Sequence, residues 1–265
     1  MAQITRKRKV LPRLELSAGL LAKYQKRLKT EIEAMQNSVE YFLTGKVEKA
    51  IEAGALVADA NPVDTAQKTL NEIKRRYLKR FRELSKTLPS WIVQEIYKET
   101  DNRFALQIKT NLEDIKSIKF TMTPQMRLKV KAALRNNSEQ IKKIPQEFFS
   151  RVENAAMSNI LNNRGAAPLM EELKKTYGMT ESRAYLNANY QLKNIQEQFY
   201  IERKKEIGLF RAIWRHSRVS LTPRKTHKEA DGREFDIRKG CYIDGKWIFP
   251  KQEINCNCYQ ETIIE

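Results

Sequence analysis

The chain has 265 residues, of which 41% are hydrophobic and 31% are charged. This length allows one large domain or two modest ones, and only nine glycines and eight prolines interrupt it, which favours long helices. No stretch approaches the roughly 20 apolar residues that span a bilayer. The basic N-terminus also lacks the apolar segment of a secretory signal. We therefore expect a soluble protein made in a cytoplasm, with no membrane partner.

The second global feature is a strong excess of positive charge. The chain carries 50 Lys and Arg against 32 Asp and Glu, a formal net charge of +18. Such a charge attracts anions and favours contact with nucleic acid or with an acidic protein surface. A lysine-rich but merely solvated helical surface is the alternative, because charge alone does not identify a partner.

The first half of the chain is predicted to be helical. Residues 1–13 resemble a flexible basic arm, and residues 14–122 form an N-terminal helical region. From about Ser17 the apolar residues recur at spacings of three and four, which is typical of an amphipathic helix. Interruptions are expected at Gly45 and at Pro62.

A strongly basic helix follows, with Asp64 as its expected N-cap and Pro89 as its expected end. One apolar stripe faces a core, whereas the other faces are rich in Lys and Arg. These basic faces are either solvated or in contact with DNA or an acidic partner. The candidate contact residues are Lys74, Arg75, Arg76, Lys79, Arg80 and Arg82.

Residues 123–208 are predicted to form a second helical region. Thr123 is a favourable N-cap, and Pro124 suits the first helical position because its missing N–H is not needed there. New helices are expected after Pro145 and at Thr180, beyond a stop at Gly178.

The periodicity changes in residues 209–265, which predict a small C-terminal α+β module. Residues 210–216 alternate between two faces, as in a strand. Asp244-Gly245 lies between two apolar arms, and this dipeptide suits the tight turn of a hairpin. One more strand is expected from Tyr259 to Ile264. The fold class predicted for the whole chain is mainly α, with long amphipathic helices before a hairpin-containing module.

All cysteines and histidines lie in this module. His227, Cys241, Cys256 and Cys258 together offer the ligands of a structural zinc ion, which would stabilise a module with little apolar content. Two other interpretations stay open. Cys256 and Cys258 could alternate between the faces of a strand and pack as small apolar groups, or Cys241 could form a disulfide with one of them.

The same residues give little support to catalysis. His227 and a cysteine would make a nucleophile–base pair only in principle, because no nucleophile motif surrounds them. The carboxylate spacing expected of a metal-dependent nuclease is also missing. We therefore expect a protein that is not an enzyme.

The module resembles the phage Mu protein F-like, or head-morphogenesis, family of minor head proteins. The resemblance covers about residues 138–260. Its motifs are the strand with Trp214, the segment from Arg218 to His227, Asp231-Gly232, the hairpin, and the Asn255-Cys256-Asn257-Cys258 end. Asn257 departs from the family, which typically has arginine there. Within these motifs Trp214, Arg218, Asp231, Gly232 and Asn255 are expected to structure the module.

This resemblance implies a low-copy structural protein inside a phage head, near the portal vertex, after assembly in the host cytoplasm. The implied partners are the portal protein, capsid or scaffold proteins, and packaged double-stranded DNA bound without sequence preference. The implied role is head assembly, and in some members DNA packaging or ejection. Two alternatives remain: a non-specific DNA-binding protein without a virion role, and a nuclease or toxin-like enzyme.

Overall fold

The computed structural model describes residues 9–53, 62–112, 118–162, 164, 166–217, 224–253 and 256–264. Four long helices precede a small module of antiparallel strands, which confirms the predicted fold class. The helices are α1 (Ala18–Ala53), α2 (Pro62–Asn111), α3 (Pro124–Leu161), α4 (Ala166–Glu206) and the short α5 (Lys225–Glu229). The strands are β1 (Val10–Leu11), β2 (Arg211–Arg215), β3 (Glu234–Asp236), β4 (Cys241–Ile243), β5 (Lys246–Ile248) and β6 (Tyr259–Ile263). Within the described residues, no helix is both long and apolar enough to cross a membrane.

The strands form a four-stranded antiparallel sheet and a separate hairpin. The order in the sheet is β1-β6-β2-β3, and β4 pairs only with β5. β1 lies within the residues predicted as a flexible arm, yet Val10 pairs with Ile263 and Leu11 is fully buried. Part of the predicted arm therefore forms the edge strand of the sheet. Residues 1–8 lie outside the described residues. The strand at 210–216, the hairpin and the last strand are confirmed.

The helices continue through several predicted breaks, at Gly45, Pro89, Pro145 and Gly178. Proline inside a helix leaves the carbonyl four residues earlier without its N–H partner. For Pro89 that carbonyl belongs to Ser85, and the Ser138 hydroxyl donates to it at 2.7 Å. All four predicted breaks were wrong, and at Pro89 the reason is that the sequence pattern does not show this substitute donor.

The three predicted N-caps have different outcomes. Thr123 Oγ1 accepts a hydrogen bond from the Met126 N–H at 3.1 Å, so the cap of α3 is confirmed. Thr180 lies inside α4, where its hydroxyl donates to the Thr176 carbonyl at 2.8 Å. Asp64 is in the first turn of α2, which begins at Pro62. The last two predictions of a cap were wrong.

The chain divides into two compact units that cut across the predicted domain boundaries. The helical unit comprises Gly19–Ile92 and Leu134–Asn189. The sheet unit comprises the residues up to Ala18, then Val93–Ala133 and Tyr190 onwards. Since α2, α3 and α4 each contribute residues to both units, the module predicted at 209–265 is only a part of the sheet unit.

Burial of apolar stripes explains the helical unit. In α1 the residues Leu28, Ile32 and Met35 are buried at helical spacing, as the sequence periodicity predicts. A buried hydrogen bond of 2.9 Å from the Tyr24 hydroxyl to Asn137 Oδ1 connects α1 with α3. Buried polar groups are satisfied in this way because an unpaired donor would cost free energy.

Two apolar clusters lie among the described residues of the sheet unit. In one, Phe104 of α2 packs edge-on against Tyr200 of α4, with the ring centroids 5.0 Å apart. The other surrounds Trp214 and includes all three cysteines. Arg203 is fully buried, and its guanidinium donates to both carboxylate oxygens of Asp101 at 2.7 and 2.9 Å. Such a bidentate pair compensates for the removal of the charge from water.

Candidate metal centre

Three side chains of the sheet unit converge on one point. The ligand atoms of His227, Cys256 and Cys258 all lie within 4.8 Å of one another, and each side chain is buried. His227 Nδ1 is 3.5 Å from the sulfur of Cys256 and 3.7 Å from that of Cys258. This arrangement could hold one metal ion.

These distances fit a tetrahedral ion. Zinc binds sulfur at about 2.3 Å and imidazole nitrogen at about 2.0 Å, so the tetrahedral angle separates the two ligand atoms by about 3.5 Å. Both observed sulfur–nitrogen separations are close to that value. The donor set of two thiolates and one imidazole also suits zinc. Three ligands leave one coordination position for a further donor.

Local structure explains how His227 is presented. It lies on the short helix α5, and its backbone carbonyl accepts a hydrogen bond of 3.2 Å from the indole N–H of Trp214. The Trp214 ring also meets the imidazole edge-on at 5.3 Å. The backbone N–H of Cys256 donates to the Glu253 carbonyl at 3.0 Å, which fixes the start of the cysteine segment.

Glu253 faces the other nitrogen of the imidazole. Its Oε2 is 3.2 Å from His227 Nε2, within ion-pair distance but without hydrogen-bond geometry. Lys246 also pairs with this carboxylate, and Arg224 lies 3.4 Å from it. The hydrogen bond from Lys246 lowers the pKa of Glu253, so the group remains a carboxylate. Glu253 thus lies beside the distal nitrogen, while Nδ1 is the ring nitrogen that faces the two sulfurs.

The two thiols share a hydrogen bond that shifts their pKa values in opposite directions. Donation from Cys258 lowers the pKa of Cys256. The same hydrogen bond, together with burial, raises the pKa of Cys258. Without a metal the pair therefore shares one proton, whereas a bound cation would stabilise both thiolates.

The remaining interpretations of the cysteines can now be judged. Cys241 is buried in the same apolar cluster but is not among the converging ligands, so the fourth predicted ligand is not brought into the site. Its pKa is raised by burial. All three cysteines are free thiols, and no disulfide connects Cys241 to the others. Cys256 and Cys258 precede β6 and face one imidazole, instead of alternating between the faces of a strand.

Trp214, Asp231 and Gly232, three of the residues expected to structure the module, each form a hydrogen bond with a backbone group of the module. Trp214 is fully buried, and its N–H and carbonyl bond to Arg233 and Gly232, both at 2.8 Å. Gly232 has a φ of +83°, a conformation that side chains disfavour. Asp231 accepts a hydrogen bond of 2.9 Å from the N–H of His216. Arg218 and Asn255 lie outside the described residues.

The six basic residues of α2 that were predicted to contact DNA or an acidic partner separate into two groups. Lys74 forms an ion pair of 2.8 Å with Glu153, and Arg80 pairs with Glu31. The others are exposed, and no ion pair involves them within the described part of the chain. They are Arg75, Arg76, Lys79 and Arg82.

Sequence analysis missed a second group of buried charges, near the end of α4. Lys204 is fully buried, and its Nζ lies 3.7 Å from the centre of the Tyr200 ring. Glu197, also on α4, forms an ion pair of 3.1 Å with Lys251 and accepts a hydrogen bond of 2.5 Å from Gln260. The run of charged residues there is typical of a solvated helix end, so the sequence carries no signal of burial. Glu253 was missed for a similar reason, because it lies in an irregular segment.

Comparison with known proteins adds little about function. No protein-family description matches the chain, and no solved structure matches it significantly. An uncharacterized protein of Haemophilus influenzae is 24% identical over 271 residues, which cover 99% of this chain. The chain spans 57% of the length of that relative.

Proposed function

We propose that this chain is a phage minor head protein, a structural component whose C-terminal module is held together by one zinc ion. The observation that carries the proposal is the buried cluster of His227, Cys256 and Cys258. It joins the same segments on which the resemblance to the head-morphogenesis family rests.

Burial favours a structural ion over a catalytic one. The three residues are 2%, 7% and 4% exposed, in the order His227, Cys256, Cys258, and they belong to or contact an apolar core. A catalytic thiol or metal needs access for a substrate. A zinc ion at this point would instead fix α5 against the segment before β6. Structural zinc contributes its binding free energy directly to folding.

The proposed setting is the interior of a phage head near the portal vertex, reached from the host cytoplasm during assembly. The proposed partners are the portal protein, other capsid or scaffold proteins, and packaged DNA. A protein beside dense DNA benefits from positive charge that neutralises phosphates without reading bases. The net charge of +18 agrees with this setting.

The test is co-purification of the tagged chain with the portal protein of the same phage, followed by a wash at high salt. We expect portal protein to remain bound after the wash, because docking through apolar contacts is weakly screened. Loss of portal protein while DNA stays bound at low salt would contradict the assignment and favour the second candidate.

That second candidate is a non-specific DNA-binding protein without a virion role. It is favoured by Arg75, Lys79 and Arg82, which lie four and three positions apart on one exposed face of α2. Their guanidinium and ammonium groups, which form no ion pair among the described residues, suit phosphate contacts.

A pair of matched variants tests DNA contact by this face. One variant changes Arg75, Lys79 and Arg82 to Gln, and the control changes three other exposed cations, Arg127, Lys131 and Arg135, to Gln. Both lose the same charge. If the α2 face binds DNA, only the first variant should reduce the slope of log affinity against log salt, by about 3. Equal reductions would show a diffuse charge effect without a defined surface.

A further inference from the structure

The hairpin of β4 and β5 carries two aromatic side chains on its outer face. Tyr242 and Trp247 are directly opposite each other in the pairing register, with ring centroids 5.2 Å apart. They are 54% and 56% exposed. Exposure of two large adjacent rings costs free energy in water, because apolar surface is not removed from solvent.

The opposite face of the same hairpin is buried and anchors the hairpin in the apolar cluster around Trp214. Cys241, Ile243 and Ile248 alternate with the exposed residues and are each 3% exposed. At the base of the hairpin, a Cβ on residue 240 would come within 2.8 Å of the Ile248 carbonyl oxygen. The backbones at positions 240 and 248 can therefore lie this close together only because residue 240 is glycine. The tight turn at Asp244 and Gly245 has φ of 53° and 76°. The aromatic pair is therefore presented on a rigid support.

Side-chain contacts connect the hairpin to the metal centre. Lys246, next to Trp247, pairs with Glu253, the carboxylate beside His227. At the turn, the Thr226 hydroxyl donates to Asp244 at 2.8 Å, and Thr226 precedes His227 on α5. The position of the aromatic pair thus depends on the same residues that hold the cluster.

We propose that the Tyr242–Trp247 pair is the docking surface for a partner protein with an apolar pocket rimmed by carboxylates. Tyrosine and tryptophan dominate binding energy in protein interfaces because they bury much area at low cost in conformational entropy. The exposed Lys239, three residues before Tyr242, and the net charge of +18 complement an acidic rim. A second copy of this chain does not fit, because a net charge of +18 opposes self-association.

Nucleic acid fits less well as the occupant. Lys246, adjacent to Trp247, is engaged by Glu253, and Arg238 is engaged by Asp236. These cations are therefore partly neutralised where phosphates would have to bind, and the two rings pack against each other. Stacking of bases needs accessible ring faces beside a free basic track.

This inference rests on the proposed function, since the partner used in the test is the portal protein of the same phage. Affinity for purified portal protein would be measured for the full-length chain and for Tyr242→Ala, Trp247→Ala and the double variant. Leu186→Ala, which removes a side chain that is 63% exposed in the helical unit, serves as the control. We expect each single variant to weaken binding at least tenfold and the control to leave it unchanged.

Folding is checked independently, because the substituted side chains are exposed. The variants should keep the circular dichroism spectrum and zinc content of the unmodified chain. In the unmodified chain, portal protein should shift the Trp247 emission to shorter wavelength and protect it from acrylamide, as burial requires.

The outcomes separate the two proposals. If the unmodified chain does not bind portal protein, the proposed function fails, and the docking surface fails with it. If it binds and the aromatic variants bind equally well, the docking surface alone is overturned. Loss of duplex DNA binding in Trp247→Ala, with portal binding intact, would also overturn it in favour of nucleic acid.

Discussion

Lys204 is a fully buried cation whose Nζ has no hydrogen-bond partner among the described residues. The groups that face it are the Tyr200 ring, Glu197 on its own helix, and Lys251 from the segment before β6. Burial lowers the pKa of Lys204 to about 7, which Glu197 offsets only in part. Lys251 and Lys204 in turn keep the pKa of Glu197 low despite its burial. Lysine at this position therefore reduces the stability of the folded state at neutral pH.

Replacement of Lys204 by Met should stabilise the protein at pH 7. The unfolded chain binds a proton at this residue up to its ordinary pKa, whereas the folded chain has lost it above about pH 7. Stability of the unmodified protein should therefore rise with pH between these values. We expect Lys204→Met to gain a few kcal/mol at pH 7, since the pKa of Lys204 is lowered from 10.5 to about 7 and one pKa unit corresponds to about 1.4 kcal/mol. The gain should shrink as pH increases towards 10.

Urea unfolding at several pH values measures this difference. Lys205→Met is the control, because Lys205 is partly exposed and pairs with Glu202 at 3.2 Å. A gain for Lys204→Met that does not depend on pH would contradict a titrating lysine and indicate improved packing alone.

The cysteines give a second prediction for individual residues. The unmodified chain and Cys241→Ala should each contain about one zinc ion, because Cys241 is outside the cluster. The Cys256→Ser/Cys258→Ser double variant should contain none, and its sheet unit should melt at a lower temperature. Elemental analysis and calorimetry measure both effects. If the double variant melts like the unmodified chain, the cluster does not stabilise the module.

At the scale of elements, long helices persist where the sequence suggests breaks. The reason is visible in α2, where Pro89 lies inside the helix and is buried. The carbonyl that proline deprives of a donor is satisfied by the Ser138 hydroxyl of α3. A polar contact between helices thus replaces one bond within a helix.

A double-mutant cycle tests this replacement. Ser138→Ala should cost about 1 to 2 kcal/mol, because the Ser85 carbonyl then lacks a partner in the interior. In a Pro89→Ala background the restored N–H can reach that carbonyl, so the same change should cost much less. Unfolding by denaturant gives the four free energies. Equal costs in both backgrounds would mean that the hydroxyl does not act through the proline site.

At the scale of the whole molecule, the chain combines a helical unit with a sheet unit that gathers distant segments. His227 and the two cysteines are 29 and 31 residues apart, and β1 joins β6 from the opposite end of the chain. Closing such loops costs conformational entropy, which a metal ion or a packed sheet must offset.

Removal of the metal should therefore loosen one unit selectively. Treatment with a zinc chelator should accelerate amide hydrogen exchange in β2 and β6, whereas exchange in the buried part of α1 should stay unchanged. Added zinc should restore protection, and added magnesium should not, because magnesium prefers oxygen ligands. Equal acceleration of hydrogen exchange in both units would contradict a metal ion that stabilises only the sheet unit.

The sequence by itself determined the elements whose signals are local. The apolar period defined the helices, Thr123-Pro124 defined the start of α3, and Asp244-Gly245 defined the hairpin turn, because each depends on near neighbours. The segregation of histidine and cysteine into the last part of the chain was also enough to predict that His227, Cys256 and Cys258 belong to one candidate metal-binding cluster.

Only the tertiary structure decided which groups meet across long separations. It excluded Cys241 from the ligand set, placed Glu253 behind His227, and buried Lys204 in a segment with a solvated composition. It also showed that α2 continues through Pro89, because the Ser138 hydroxyl donates to the Ser85 carbonyl from 53 residues away. These outcomes depend on packing between elements and on desolvation, and neither has a counterpart in local residue spacing.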